Sequence, residues 1–179
     1  MSGATIPNAA APVPLAPAGE QRRTVGACCG AHVLHDGYTD LLYVLLPVWQ
    51  AEFGLGYAEV GMLRALYSGT MASLQVPAGL LAERFGERAL LVLGTALAGI
   101  GCRVAGASTG FLMLAAGLAI GGMGSSVQHP LGATLIARAF DGHRSRIALG
   151  TYNFAGDIGK MALPAATAAL LTVMAWRPT

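Results

Sequence analysis

Charge is scarce in this 179-residue chain. Asp, Glu, Lys and Arg make up 11% of it, against about 25% in an ordinary soluble domain. The formal net charge is only +2. With no basic stripe interleaved with aromatics, a nucleic-acid partner is excluded. Cysteine is equally sparse. Cys28 and Cys29 are adjacent and Cys102 lies in another hydrophobic run, with no CxxC and no Cys/His metal spacing. A disulfide framework is therefore not expected, and the three cysteines read as small apolar fillers. No G-x-S-x-G or Ser/His/Asp arrangement offers a hydrolase. Gly159-Lys160 does not complete a phosphate loop, because position 154 is Phe and Met161 stands where Ser or Thr is needed. Neither a cofactor nor a bound metal is expected.

Hydrophobic residues, in contrast, make up 54% of the chain. Leu, Ala and Gly dominate, a composition suited to helices packed closely in lipid. Residues 1–24 differ: Pro7, Pro12, Pro14 and Pro17 lie among alanines, and the stretch ends in Glu20, Arg22 and Arg23. This predicts a disordered cytoplasmic tail and no signal peptide. Five apolar stretches follow, at about 25–50, 57–82, 88–106, 110–138 and 145–175. Each reaches the 20 or so residues that cross a hydrocarbon core. The expected fold is an all-α membrane protein in a lipid bilayer, its domain running over 25–179.

Orientation follows from the basic residues. Arg22 and Arg23 precede the first span, Arg84 and Arg88 follow the second, and Arg138, Arg144 and Arg146 follow the fourth. Basic loops stay cytoplasmic. This places the N-terminus inside and makes the chain a multi-pass protein of the cell's inner (plasma) membrane. The chain stops at Trp176-Arg177-Pro178-Thr179, so a sixth helix is expected beyond it.

The most specific segment is Gly79-Leu80-Leu81-Ala82-Glu83-Arg84-Phe85-Gly86-Glu87-Arg88. Gly86 permits a tight turn. Arg84 and Arg88 hold the loop on the cytoplasmic face, and Glu83 can pair with them or with a helix N-terminus. This segment resembles the signature loop between helices two and three of the major facilitator superfamily, G-x-x-x-[DE]-[RK]-x-G-x-[RK]-[RK]. It departs only at the last position, Ala89. The resemblance implies a loop that latches the two halves of a transporter through Gly79, Glu83, Arg84, Gly86 and Arg88.

A second set narrows the branch. His32-Val33-Leu34-His35-Asp36, Glu52-Phe53-Gly54-Leu55 and Gly124-Ser125-Ser126-Val127-Gln128-His129-Pro130 are similar to motifs of the fosmidomycin-resistance-type exporters of that superfamily. His35 departs from the Asn of that pattern. Tyr152-Asn153-Phe154-Ala155-Gly156-Asp157-Ile158-Gly159-Lys160 carries more charge than the branch implies, which leaves a different substrate open.

Ionisable residues inside spans are functional candidates, because charge in lipid is costly. His32, Asp36 and Asp40 share one helix face at i,i+4 steps, and a carboxylate beside an imidazole can take and release a proton. A static pair that fixes helix packing is the alternative. Asn153, Asp157 and Lys160 share another face. Asp157 and Lys160 can neutralise each other, and Gly156 and Gly159 let a neighbour approach. Pro130 should kink its helix and free a carbonyl near Ser126, beside His129. Arg64 either balances the acidic groups of helix one or snorkels to the outer interface. Gly117-x-x-x-Gly121 reads as a helix-packing face.

The sequence therefore predicts a proton-coupled exporter of a small organic compound, represented by five helices of an incomplete six-helix N-terminal bundle. His32, Asp36 and Asp40 handle protons. Arg64, His129, Asn153, Asp157 and Lys160 line the substrate cavity. The partners are the bilayer, protons, the substrate and a missing C-terminal half. Two alternatives stand: a non-transporting membrane remnant or subunit, and, less favoured, a histidine-based membrane metalloenzyme. The latter is prompted by His32-x-x-His35-Asp36 in a chain with four histidines.

Overall fold

The computed structural model describes residues 16–177, all helices and turns. Six helices follow one another: α1 (Ala18–Phe53), α2 (Tyr57–Phe85), α3 (Glu87–Gly106), α4 (Phe111–Ser125), α5 (Gln128–Ala139) and α6 (Gly142–Leu170). Their boundaries correct three expectations. The first helix begins at Ala18, inside the stretch assigned to a tail; residues 1–15 of that stretch lie outside the described residues. The span expected over 110–138 is two helices with a turn at Ser126 and Val127. Pro130 contributes to the break: it has no N–H for the Ser126 carbonyl, and its ring crowds that carbonyl. Regular bonding resumes with Leu131 N–H to the Val127 carbonyl. The last span ends at Leu170, not near residue 175. The chain then turns back, and Trp176 lies edge-on to Trp49 and Phe53.

Glu87–Gly106 and the Phe111–Ala139 stretch are both long and apolar enough to cross a membrane. α1, α2 and α6 have 36, 29 and 29 residues, ample length, but polar and ionisable groups interrupt their apolar runs. Those in α1 and α6 build the site described below.

Two close helix contacts organise the bundle, and glycine permits both. Between α3 and α4, a Cβ on Gly101 would lie 2.4 Å from the Gly121 nitrogen, and one on Gly124 would lie 2.3 Å from the Ala98 nitrogen. Here the Gly117/Gly121 face meets its partner backbone to backbone. Between α1 and α6, a Cβ on Gly159 would lie 2.1 Å from the Val33 carbonyl oxygen. Tyr67 ties α2 to both α1 and α4, with its hydroxyl 3.0 Å from Thr39 Oγ1 and 2.8 Å from Ser125 Oγ. Leu42, Leu46, Trp49, Leu63 and Leu114 pack beside it as one core cluster.

Apolar side chains are also plentiful outside. Val92, Leu112 and Met161 are 72%, 81% and 75% exposed.

Most of the basic residues gather at one end. Arg88 pairs with Glu20 at 2.8 Å, and Arg138 pairs with Glu87. Gln21, only 6% exposed, donates to the Ala139 carbonyl that ends α5 and accepts from Arg144. These partners explain the early start of α1. At the other end Arg177 donates to the Ser108 carbonyl and reaches Glu52.

Candidate functional site

A cluster of ionisable groups lies where α1, the start of α5 and the middle of α6 converge. The 3.6-residue repeat puts His32 and Asp36 on one face of α1, and that face meets Gly156 of α6. A Cβ at Gly156 would come within 2.7 Å of Asp36 Oδ2 and of His32 Cε1. Only a glycine leaves room for this pair against the α6 backbone. His32 and Asp36 are both 3% exposed.

Asp36 is the hub. Its Oδ2 lies 3.2 Å from His32 Nε2 and 3.1 Å from Lys160 Nζ, and its Oδ1 lies 3.4 Å from His129 Nε2. Lys160, the chain's only lysine, also reaches Asp157 at 3.4 Å. His129 and Lys160 are 48% and 44% exposed at their side chains, so the buried hub opens outward through them.

His32 is held from two sides. Its Nδ1 lies 2.8 Å from the Tyr152 carbonyl oxygen. A carbonyl only accepts, so Nδ1 carries a hydrogen and donates it. The Tyr152 ring stacks on the imidazole at 3.9 Å, and its hydroxyl donates to the Gln128 carbonyl. His32 Nε2 is thus turned to Asp36. The approach is oblique: neither His32 Nε2 nor Asp36 Oδ2 has a directed hydrogen bond among the described residues. A proton shared between them would make the two attract.

The cluster gathers His32, Asp36, His129, Asp157 and Lys160 from the candidates named above. Asp40 is half-buried and outside it, without an ion pair among the described residues. Asn153 is exposed on the same helix as Lys160. Arg64 donates to the Tyr43 hydroxyl at 2.9 Å and lies over that ring, with no ion pair to the acidic groups of α1 among the described residues. His35 turns away, its Nε2 3.4 Å from Thr95 Oγ1. In the loop, Gly86 adopts a φ of 85° between α2 and α3, a conformation that favours glycine. The acidic partners there are Glu20 and Glu87, not Glu83, which is exposed. Tyr152 was not singled out by sequence reasoning. Its position one helical turn before Gly156, on the face that meets α1, is the signal that finds it.

The family model of the Major Facilitator Superfamily matches residues 28–179. The chain is 32% identical over 133 residues to an uncharacterised MFS-type transporter of Mycobacterium tuberculosis, covering 73% of this chain and 22% of that protein. It is 28% identical over 149 residues to the fosmidomycin resistance protein of Escherichia coli, covering 82% of this chain and 36% of that protein. It is also 28% identical over 132 residues to the bacillibactin exporter of Bacillus subtilis, covering 69% and 33%. The chain thus spans about a third or less of the length of these relatives.

Proposed function

The chain belongs to the major facilitator superfamily, and on that premise we propose that it is the N-terminal part of a secondary transporter exporting a small organic compound in exchange for protons. The relatives are transporters, which favours transport over enzymatic chemistry. Two of them are a drug-resistance protein and an exporter, which favours outward movement. In this reading α1, α2, α3, the α4–α5 pair and α6 cross the inner membrane as five spans. The N-terminus and the arginine-rich end face the cytoplasm.

One observation carries the coupling: buried Asp36 stands within 3.4 Å of three groups that donate or exchange protons. With His32 Nδ1 committed as a donor, one proton suffices to join His32 Nε2 and Asp36. Loading that proton from outside releases Lys160 from its carboxylate partner. Unloading it inside restores the Asp36–Lys160 pair. A substrate in the cavity meets Lys160, His129, Asp157 and Asn153, with Arg64 at the edge. The site of such transporters lies between two halves, so a C-terminal half completes the cavity.

A second reading is a membrane subunit or remnant that does not transport. Expression in a strain stripped of its own efflux pumps separates the two. Resistance to a drug panel should follow from this chain joined to a C-terminal half, and not from the chain alone. Transport by the chain alone would overturn the half-transporter reading. No transport from the joined protein would favour the second.

A further inference from the structure

We propose that His32, Asp36 and His129 form a binding site for a divalent transition metal of the zinc class, filled by displacing Lys160 from Asp36. Two of the three ligand pairs are already spaced for it, through the two different oxygens of Asp36. Nitrogen and oxygen ligands stand about 2.0–2.2 Å from a tetrahedral zinc, and therefore about 3.3 Å from one another. His32 Nε2 and Asp36 Oδ2 are 3.2 Å apart, and His129 Nε2 and Asp36 Oδ1 are 3.4 Å apart. All three ligating groups lie within 4.8 Å of one another. The half-exposed His129 ring lies edge-on to His32 at 5.0 Å and would turn to close the last edge.

Three further features point the same way. His32 Nε2 and Asp36 Oδ2 are buried without a directed hydrogen bond. The Nδ1–H of His32 is anchored on the Tyr152 carbonyl, the outer contact that aims a histidine's other nitrogen at a metal. The glycine at Gly156 lets both ligands pack directly against the α6 backbone, which fixes them beside each other. Two imidazoles and one carboxylate suit zinc, cobalt or nickel, and are poor ligands for calcium or magnesium, which take more oxygens. The fourth position falls on the exposed side, beside His129, open to water.

Lys160 is the competitor. Its ammonium holds the charge that the metal would hold at Asp36, but Asp157 at 3.4 Å gives it a second carboxylate to retire to. Metal entry therefore strands no charge. The ion would join α1 to α5 and occupy the lone pairs that carry the proton. Its consequence, inhibition of transport, rests on the function proposed above; the binding itself does not.

The test uses the full-length transporter, purified in detergent with its affinity tag removed, and titrated with Co2+. One equivalent should produce the strong visible absorption of tetrahedral cobalt, and Zn2+ should abolish it. His129→Gln changes a half-exposed side chain and should preserve the fold. It should weaken binding by at least the roughly 10–100-fold typical of lesser, outer contacts. Lys160→Met should tighten binding. Absence of the absorption, or an affinity that ignores both variants, overturns the proposal. Metal binding without gradient-driven transport in vesicles would count against the transport reading alone. Transport without metal binding would count against this proposal alone.

Discussion

Replacing Gly159 by alanine probes the contact on which the site depends. In α6 the new Cβ would lie 2.1 Å from the Val33 carbonyl oxygen, 2.8 Å from its carbonyl carbon and 2.9 Å from its Cα. All three are backbone atoms, so no rotamer change relieves the overlap. α1 and α6 must part by roughly 1.3 Å to restore ordinary contact. Overpacking of this kind costs about 1–3 kcal/mol, and more where backbone must move. Alanine also gains about 0.5–1 kcal/mol over glycine in a helix interior, which would blur the result. Gly150→Ala supplies the correction: it lies in the same helix, and a Cβ there meets nothing within 4 Å. The intrinsic gain cancels between the two variants, and their difference isolates the collision. At about 2–4 °C per kcal/mol for a chain of this size, Gly159→Ala should melt several degrees below Gly150→Ala. The melt is followed in detergent by tryptophan fluorescence. Equal melting temperatures would refute the close α1–α6 packing, and with it the placement of Asp36 against Lys160.

Two other substitutions test neighbouring parts of the structure. Thr39 Oγ1 donates to the His35 carbonyl, so the Tyr67 hydroxyl must donate to Thr39 and accept from Ser125. Tyr67→Phe then leaves the buried Ser125 hydroxyl unpartnered, at a cost of about 1–3 kcal/mol read as a lowered melting temperature; an unchanged melt would contradict that network. Gln21→Leu removes the amide that caps the Ala139 carbonyl, worth about 1 kcal/mol. Amide hydrogen exchange over residues 18–24 should accelerate while Tyr152 and its neighbours keep their protection, and uniform protection would show that Gln21 does not anchor the start of α1.

The parts of this fold that can be read from the chain are those governed by local chemistry. Gly86 turns where a turn was expected, because a positive φ there is a property of one residue. Gly156 and Gly159 mark the close approach of a neighbour, because small residues on one helix face have few other uses. Pro130 leaves the Ser126 carbonyl without an N–H, and the turn falls there, at Ser126 and Val127, although Pro47, Pro77 and Pro164 lie inside unbroken helices. The rest depends on which helices meet. His129 lies 93 positions from Asp36, and no spacing rule joins them; the closer histidine, His35, turns instead to Thr95. Arg64 hydrogen-bonds to Tyr43, a contact that no spacing rule names. The start of α1 was hidden because Glu20 and Gln21 look like tail residues until Arg88 and the end of α5 supply their partners.

Asp36 carries the account, since one carboxylate serves His32, His129 and Lys160. The direct test is Asp36→Asn in the full-length protein, reconstituted in vesicles with an imposed pH gradient. Asparagine keeps the shape but neither binds a proton at ordinary pH nor pairs as an anion with Lys160. Wild-type vesicles should accumulate substrate when the gradient is applied. The variant should lose that response while keeping gradient-independent exchange of labelled for unlabelled substrate. Gradient-driven transport that continues unchanged in Asp36→Asn would contradict the coupling role assigned to this residue.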